Sequence, residues 1–395
     1  MKNILFISWD GPRTTYMEGL FLPIFRQIQQ QSDYRFHVIQ FTWGTANRTA
    51  LTAQAAAEAD IPYTARRILR RPHPLVGSMA TVFAALPFLQ SYIRRHDIAV
   101  VMPRSTMPAA MVNRLRRNGL KVVFDADGLP LEERVDFQGL RSDALSYRLL
   151  KREETRLVQS ADAILTRSHK AIAVHTERTG VDPMHFFRVL NGRDETFFVL
   201  HAEKRVEIRN AIGAAPEATV FVYCGSLGHQ YGWEEMMAVF TRFRSAHPDA
   251  MFLILTGNPE FAAARLPEAM AASCVIRTVP FREVPDWLAA ADVAFAIRQP
   301  KPSMQGVSPT KLGEYLLMEL PTIASKGIGD TEDMLAPTRH SFLFDHDDPN
   351  AVSDALRFIE GLDKGPKPDL REAGLRFFSL AKAAESYITA LEHRS

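Results

Sequence analysis

The chain has 395 residues, which is too long for one typical domain and suits two. Its hydrophobic fraction of 46% and charged fraction of 23% are those of an ordinary globular protein. The net charge of +2 gives no indication of an acidic partner, so such a partner must be sought in local patches. Two cysteines, Cys224 and Cys274, are too few for a disulfide framework or a zinc cluster, which indicates buried thiols in a reducing compartment.

Short apolar runs rich in β-branched residues recur along the chain, and longer segments with helical spacing separate most of them. The first half has predicted strands at Asn3–Ser8, Phe36–Thr42, Ile98–Met102, Lys121–Asp125, Ala163–Thr166 and Phe187–Leu190. The second half has them at Thr219–Cys224, Met251–Thr256, Val275–Val279, Val293–Ile297, Thr322–Ala324 and Phe342–Phe344. Predicted helices include Tyr16–Gln30, Ala109–Asn118, Tyr147–Gln159, Trp233–Ser245 and Ala351–Gly361. This alternation predicts an α/β fold with two Rossmann-like domains built on parallel sheets.

The start of the chain enters a strand pattern at once, and its apolar run is too short for the core of a signal peptide. We therefore expect a cytoplasmic protein. The longest apolar stretch, Leu75–Ile93, is interrupted by Pro87 and is marginal for a membrane span. A helix packed in the domain, or one lying near a membrane surface, fits it better. The turn signal Asn191-Gly192 and the charged residues after it indicate a domain boundary near residue 195.

Most familiar site motifs are missing from the sequence, among them the dinucleotide-binding G-x-G-x-x-G, the P-loop, H-E-x-x-H and G-x-S-x-G. The segment from Ile297 to Leu335 is the most informative. In it a strand ends at Arg298, a loop follows, and a helix is predicted with Ser308 as N-cap and Pro309 at its first position. Such a helix start after a strand can bind an anion through its free N–H groups.

Lys311 lies in the first turn of this helix, where a cation opposes the helix dipole. It therefore suits a phosphate. Glu314 shares its face and can accept hydrogen bonds from ribose hydroxyls, although a solvated Lys–Glu pair on a surface helix would show the same pattern. A second loop, after the strand that ends at Cys224, contains Gly225, Gly228 and Gly232, which allow a ligand close to the backbone. His229 in this loop can reach the same ligand or remain in solvent.

These segments resemble the GT-B fold glycosyltransferases, specifically the family 4-like group. The resemblance is strongest over SPTKLGEYLLMELPTIASKGIGDTEDML, Ser308–Leu335, and is supported by ADAILTRS, LNGRDETFF and VFVYCGSLGHQYG. It implies an acceptor domain at 1–195, completed by a C-terminal helix at 371–395, and a nucleotide-sugar domain at 196–370, facing each other across a cleft. It further implies a transferase that retains the anomeric configuration and serves polysaccharide or glycoconjugate synthesis.

The resemblance also implies roles for individual residues. The diphosphate would be held by Lys311 and the amides of Gly306, Val307 and Ser308, and the ribose by Glu314. The base would contact Phe281 and Arg282. Arg298, Gly225, Ser226 and His229 complete the predicted donor site. Two positions depart from the family pattern, because Gly306 stands where the first acid is expected and Ser226 where many relatives carry arginine. A histidine often seen in the acceptor domain is also replaced around Asp125–Gly128.

Acceptor residues are sought after the strands of the first half. Asp125 and Asp127 would face the cleft, and one of them could orient or deprotonate the acceptor hydroxyl, although Asp127-Gly128 also suits a plain turn. Asp10, Gly11 and Arg13 would border the acceptor, or form an ordinary turn after the first strand. Glu132 and Glu133 are weaker candidates that suit a solvated helix start.

The expected partners are a nucleotide sugar and a glycan or lipid-linked acceptor, with no cofactor and no metal. Basic residues at Ala65–Gly77 and at Arg94-Arg95 flank apolar segments and suit either peripheral contact with an anionic membrane at its inner face or a solvated surface. No interleaving of aromatic and basic residues indicates nucleic-acid binding. Two alternative functions remain open: a nucleotide-sugar 2-epimerase of the same fold, and a degenerate protein that binds a nucleotide sugar without activity.

Overall fold

The computed structural model describes residues 1–12, 14–117 and 119–393. The chain forms two compact units, which we call unit 1 and unit 2. Unit 1 contains Met1–Gly192, Gln305–Val307 and the chain from Leu380 onward, and unit 2 contains Arg193–Met304 and Ser308–Ser379. The chain thus passes between the units near residue 192, close to the predicted boundary, and it does so again at 305, 308 and 380.

Unit 1 is built on a sheet of seven parallel strands: β1 Lys2–Asp10, β2 Tyr34–Thr42, β3 Tyr63–Arg67, β4 Ile98–Pro103, β5 Lys121–Asp127, β6 Ala163–Thr166 and β7 Phe186–Arg188. Their order is β3-β2-β1-β4-β5-β6-β7. The order reverses between β1 and β4, and a crevice for ligands forms at such a switch point, outside the carboxyl ends of the strands.

Helices cover the sheet of unit 1. A π-helical turn at Met17–Phe21 leads into α1 Leu22–Gln31, followed by α2 Ala46–Glu58, α3 Pro74–Arg95, α4 Thr106–Val112, α5 Pro130–Gln138, α6 Leu145–Val158 and α7 His169–Thr179. The predicted helix Tyr16–Gln30 is therefore a π-helical turn joined to an α-helix. The predicted helix Ala109–Asn118 is wrong at both ends, because α4 begins at Thr106 and ends at Val112, and Asn118 lies outside the described residues. Apolar side chains on both faces of the sheet form two cores.

α3 is the helix predicted from the apolar stretch Leu75–Ile93. Among the described residues it is the one helix whose length and composition would allow it to cross a membrane, and 33% of its most apolar window is buried within the protein. Its buried residues pack against the core of unit 1. The structure thus shows a packed helix with an extensive exposed side.

Unit 2 is built on six parallel strands: β8 Val220–Cys224, β9 Met251–Leu255, β10 Cys274–Arg277, β11 Val293–Ala296, β12 Thr322–Ser325 and β13 Ser341–Phe344. All six were predicted to within two residues at both ends, because buried parallel strands appear in the sequence as continuous apolar runs. Their order is β10-β9-β8-β11-β12-β13, so the switch point lies between β8 and β11.

The helices of unit 2 lie on both faces of its sheet, where two further apolar cores form. They are α8 Ala202–Ala211, α9 Trp233–Ala246, α10 Pro259–Ala263, α11 Val284–Leu288, α12 Thr310–Leu317, α13 Thr331–Leu335, α14 Ala351–Glu360 and α15 Pro368–Phe378. The last helix of the chain, α16 Leu380–Glu392, belongs to unit 1. The segment predicted to complete the first domain, 371–395, is thus divided: α15 packs on α12 in unit 2, and α16 packs on α1 in unit 1.

Candidate functional site

The segment with the strongest family resemblance folds as loop, helix and strand, as predicted, but its helix begins later. α12 begins at Thr310, with Pro309 in the N-cap position and no side chain bonded to that cap. The prediction that Ser308 is the N-cap is therefore wrong by one residue. Pro309 has no side-chain oxygen with which to cap the first turn, so a ligand anion can approach its N–H groups.

Lys311 in this first turn is a buried cation without a partner. The residue is 8% exposed, and its Nζ atom has no hydrogen-bond acceptor among the described residues. Burial above all, and the charge of Arg298 next, lower the pKa of Lys311 well below its ordinary value. An unpaired charge is costly in a protein interior. The position therefore favours an anion that supplies the missing acceptors.

Two tyrosine rings and an arginine surround Lys311. Its Nζ atom lies 3.7 Å from the ring centroid of Tyr223 and 4.4 Å from that of Tyr231. The guanidinium of Arg298 lies 4.8 Å from the Tyr231 centroid and donates to its hydroxyl oxygen at 3.3 Å. Lys311, Arg298 and the two tyrosines form what we call the cation site, at the switch point of unit 2. The sequence predicted the two cations but missed Tyr223 and Tyr231, since only their place beside the glycine loop could have indicated them.

The glycine loop after β8 comes close to the cation site. Gly225 has a φ of +135°, and a Cβ atom built on it would lie 3.1 Å from Nζ of Lys311. Its N–H donates to the carbonyl of Leu255 at 2.8 Å, which fixes the loop to the end of β9. Only glycine meets both the backbone conformation and the space here. Ser226 and His229 in the same loop are exposed.

Glu314 has a partner that the sequence did not indicate. Its Oε1 atom accepts a hydrogen bond from Nε of Arg193 at 2.9 Å, and both side chains are buried. Burial raises the pKa of Glu314 even though Arg193 and Lys311 act to lower it. Lys311 and Glu314 are therefore not a solvated surface pair. Arg193 occupies one carboxylate oxygen and orients the other.

A chain of hydrogen bonds fixes the backbone of Arg298. The backbone N–H of Arg298 donates to Oγ of Ser325 at 2.9 Å, and this hydroxyl bonds to Nε2 of His346 at 2.9 Å. The other ring nitrogen of His346 lies 3.2 Å from Oε1 of Glu235, which also accepts from Gln299 at 2.9 Å. Ser325, His346 and Glu235 have the composition of a hydrolase triad, but Ser325 is fully buried. Their hydrogen bonds hold the end of β11 in place.

Phe281 and Arg282, the residues expected near the base, lie after β10, two strands from the switch point. Both are exposed. The Phe281 ring is 49% exposed and stacks on Phe197 with their centroids 5.5 Å apart. This leaves a rigid aromatic surface in unit 2 on which a planar ring can stack.

Gly306 and Val307 belong to unit 1, whereas Ser308 belongs to unit 2. A Cβ atom built on Gly306 would lie 2.7 Å from the backbone nitrogen of Leu129, and one on Gly128 would lie 2.2 Å from the carbonyl oxygen of Gly306. The hydroxyl of Ser168 also donates to the carbonyl of Gln305 at 2.5 Å. The structure thus gives the reason for the departure from the family pattern: no side chain fits at residue 306 in this backbone.

Asp125 and Asp127 have different surroundings in unit 1. Asp125 is fully buried; its Oδ2 accepts from Arg167 at 2.8 Å and its Oδ1 from the N–H of Asp127 at 3.0 Å. Asp127 is 31% exposed and pairs with Arg104 at 2.8 Å. Asp127 is thus the more accessible of the two carboxylates, whereas Asp125 holds Arg167 and the backbone of Asp127. That one of them acts on an acceptor hydroxyl stays a prediction.

A bulge directs Asp127 away from the regular path of β5. The pairing of β5 with β6 shifts between Asp125 and Asp127, and Asp127 has a φ of +66°. Such left-handed backbone is uncommon for a residue with a side chain and recurs at functional sites. Asp10 stands at the end of β1 in the same unit and accepts from Ser8 at 2.6 Å and Gln40 at 2.7 Å.

The other predicted acceptor residues are less informative. Gly11 follows Asp10 in the first turn of unit 1, and Arg13 lies outside the described residues. Glu132 is buried and paired with Lys151 and Arg178, so the expectation of a solvated helix start is wrong for it. Within the described ranges, no group of three or more His, Cys, Asp or Glu residues is arranged to hold a metal ion.

Two doubly wound parallel sheets, one in each unit, are the architecture of the GT-B fold, and solved structures show the same fold. HepE from Anabaena in complex with UDP matches 99% of each chain at 13% identity with a TM-score of 0.72. WaaG, a glycosyltransferase of lipopolysaccharide biosynthesis, matches 98% of each chain at 14% identity with a TM-score of 0.67. A candidate UDP-N-acetylglucosamine 2-epimerase from Listeria monocytogenes matches 99% of this chain and 96% of its own at 13% identity, with a TM-score of 0.59.

The family is identified within unit 2. Residues 218–359 match the family described as Glycosyl transferases group 1. Residues 218–359 thus carry a group 1 glycosyltransferase domain, which together with the shared fold supports a glycosyltransferase. None of the curated proteins matches the sequence significantly.

Proposed function

We propose that the protein transfers a sugar from a nucleoside-diphosphate sugar to a hydroxyl group of a glycan or lipid-linked acceptor. The observation that carries this proposal is the buried ammonium group of Lys311 at the switch point of unit 2, which lacks a hydrogen-bond acceptor among the described residues. The HepE structures, which contain UDP or UDP-glucose, support a donor of this class.

Cleavage of the sugar–phosphate bond leaves negative charge on the departing diphosphate. Fixed donors aimed at developing charge lower a barrier most where water is excluded. Lys311, Arg298 and the first-turn amides of α12 are such donors, and we propose that they replace a metal ion in this role. Glu314, oriented by Arg193, would accept from the ribose hydroxyls, and Phe281 with Arg282 would contact the base.

On the acceptor side, Asp127 is the proposed base for the attacking hydroxyl. Its partly exposed carboxylate is held by Arg104, and the buried pair of Asp125 and Arg167 supports the turn behind it. Asp10 would orient the acceptor. We propose retention at the anomeric carbon, as in the family that the sequence resembles; the anomeric configuration of the product, read by NMR, tests it, and inversion would overturn it.

We place the reaction in polysaccharide or glycoconjugate synthesis, at the cytoplasmic side of a membrane. The fold shared with WaaG supports this setting, and so do the exposed basic residues next to α3 in unit 1. Identification of the acceptor by transfer of a labelled sugar to membrane extracts tests the setting. Exclusive transfer to a soluble small molecule would contradict it.

The donor site is tested by Lys311→Ala. We expect UDP affinity to fall about 10- to 100-fold, the range for loss of a charged hydrogen bond, and turnover about 100-fold or more. Lys364→Ala is the matched control, because Lys364 is 90% exposed on the same unit and forms a surface ion pair. Unchanged UDP binding and turnover in Lys311→Ala would remove the proposed site. The same assay with EDTA tests metal independence, which a loss of wild-type turnover would refute.

A 2-epimerase is the second candidate, favoured by the fold shared with the Listeria protein. Such an enzyme converts the nucleotide sugar without an acceptor. Incubation with the donor alone separates the two functions: an epimerised nucleotide sugar supports the second candidate, and an unchanged donor that is consumed only with an acceptor supports the transferase. Tight donor binding with neither reaction would indicate a degenerate binding protein.

A further inference from the structure

A cavity in unit 1 lies at the carboxyl ends of β2 and β3, at the edge of the sheet. It has a volume of about 1050 Å³ and is lined by Thr42, Trp43 and four arginines. The arginines are Arg66, Arg67, Arg70 and Arg71, and the described residues that line the cavity include no carboxylate. We call it the arginine cavity. The proposed transfer reaction, with its residues in the cation site and at Asp127, leaves it unused.

The structure shows no acidic partner for these four arginines in the part of the chain that it describes. Among the described residues none of them forms an ion pair or a hydrogen bond through its side chain, whereas Arg48 nearby in the same unit is paired with Glu18. Two instead lie over aromatic rings: Arg66 is 4.2 Å from the centroid of Phe88, and Arg70 is 4.7 Å from that of Trp43. A guanidinium on a ring face keeps its N–H edge available, and that edge matches a phosphate geometrically. Four positive charges within the six residues Arg66–Arg71 thus favour the binding of a group with several negative charges.

The segment that carries Arg70 is fixed to α3. A Cβ atom built on Gly77 of α3 would lie 2.4 Å from the carbonyl oxygen of Leu69, so only glycine allows this approach. The N–H of Leu69 also donates to the Thr81 hydroxyl at 2.9 Å. The arginine cavity and α3 therefore form one continuous surface of unit 1.

The outer face of α3 is apolar. Val76 is 54% exposed and Phe83 is 55% exposed, and neighbouring Leu69 is 51% exposed. Val76 and Phe83 are seven residues apart and so share a face of the helix, with the exposed residues Ala80, Ala84 and Pro87 between and beyond them. An apolar strip of this kind beside a basic site suits the boundary between lipid headgroups and chains.

We propose that the arginine cavity binds the phosphate of a membrane lipid while the outer face of α3 lies among the lipid chains. This deepens the proposed function, on which it rests for the use of a lipid-linked acceptor. Charge complementarity favours a phosphate, because all the charges lining the cavity are positive. The apolar strip favours a lipid over a free phosphate ester, because a soluble ligand would leave the exposed side chains of Val76 and Phe83 in water.

The charge contribution is tested by co-sedimentation of the full chain with vesicles of phosphatidylcholine alone or mixed with phosphatidylglycerol. We expect binding to the anionic vesicles only, weakened by salt. Arg70→Gln/Arg71→Gln should lower the partition coefficient about 30-fold, since each basic residue at an anionic surface contributes about fivefold. The control Arg242→Gln/Arg339→Gln removes two exposed arginines of unit 2 and should bind like wild type. Equal binding by the two double variants would overturn the proposal.

The apolar contribution is tested by Val76→Ser/Phe83→Ser, which should weaken vesicle binding about tenfold or more through lost apolar burial. Leu145→Ser/Met184→Ser, at two highly exposed positions of unit 1, is the control and should have no effect. Glycerol phosphate serves as a soluble competitor. If it displaced the protein from vesicles at low millimolar concentration, and if Val76→Ser/Phe83→Ser bound vesicles as well as wild type, the lipid assignment would be overturned. Because no nucleotide is present, these outcomes are independent of whether Lys311→Ala retains activity.

Discussion

Lys311 illustrates a conflict between binding and folding. Its ammonium group is buried against two tyrosines without an acceptor, so the ligand-free protein bears the cost of its desolvation. We expect Lys311→Met to raise the free energy of unfolding by about 1–4 kcal/mol, the range seen when buried charges are replaced by apolar side chains. Chemical denaturation without ligand measures this, and UDP should no longer stabilise the variant.

Lys367→Met is the contrasting variant. Lys367 is also buried, but its Nζ atom donates to the carbonyl oxygen of Asp363 at 2.9 Å and to the Asp363 carboxylate. Its removal leaves these groups unpaired and should destabilise the protein. If Lys311→Met were less stable than wild type, as Lys367→Met is expected to be, Lys311 would have a structural partner. The proposal that its ammonium group awaits an anion would then be refuted.

The pH dependence of this effect has a definite sign. The pKa of Lys311 is lower in the folded chain than in the unfolded one, chiefly through burial. Between the two pKa values the unfolded chain binds more protons, so the stability contribution of Lys311 rises with pH. The stability gap between Lys311→Met and wild type should therefore be widest at low pH and close as the pH approaches the ordinary lysine value. A gap that widened with rising pH would contradict the assigned direction.

Side chains at the site differ in how far the sequence could predict them. Lys311 and Glu314 were predictable because a cation in the first turn of a helix is unusual and the local resemblance is strong. Tyr231 and Arg193 were missed because they reach the site through tertiary contacts rather than local spacing. Ser308 was misassigned because a serine before a proline satisfies the local pattern for an N-cap, whereas the observed turn places Pro309 there.

The loop between β11 and α12 depends on two glycines that meet backbone to backbone. A Cβ atom on Gly306 would lie 2.7 Å from the nitrogen of Leu129, an atom that cannot rotate away. We expect Gly306→Ala to lower the free energy of unfolding by about 1–3 kcal/mol, as for other overpacked sites. Gly257→Ala is the control, because a Cβ atom there meets nothing within 4 Å. Equal stability of the two variants, by thermal unfolding, would show that the Gly306 contact is relaxed in solution.

Strands of the sheet interiors were predictable from apolar runs, whereas β3 was not. It has the sequence YTARR, its residues are half-buried or exposed, and it lies at the sheet edge. An edge strand has one open side, so burial does not impose an apolar pattern on it. The helix predicted at Tyr16–Gln30 is confirmed in extent, but its first turn is π-helical. Pro23 supplies no N–H to the hydrogen-bond ladder at the join between that turn and α1.

The two units carry separate halves of the proposed chemistry, and variants can distinguish them. Asp127 belongs to unit 1 and the cation site to unit 2. If Asp127 is the base for the acceptor, Asp127→Asn should lower transfer about 100-fold or more, the typical contribution of general base catalysis, and leave UDP affinity unchanged. Lys311→Ala should weaken UDP binding as well as turnover, so calorimetry with UDP separates the two variants.

The control for Asp127→Asn must remove a carboxylate of unit 1 without touching the site. Asp143 suits this purpose, because it is 67% exposed and pairs only with the exposed Arg141 among its described neighbours. Such surface pairs contribute little to stability, so Asp143→Asn should retain full transfer. If Asp127→Asn kept wild-type transfer and the same pH profile, Asp127 would be a turn residue held by Arg104. Asp10, at the end of β1, would then be the carboxylate of unit 1 to test as the base, because Asp125 is fully buried and both of its oxygens are already bonded.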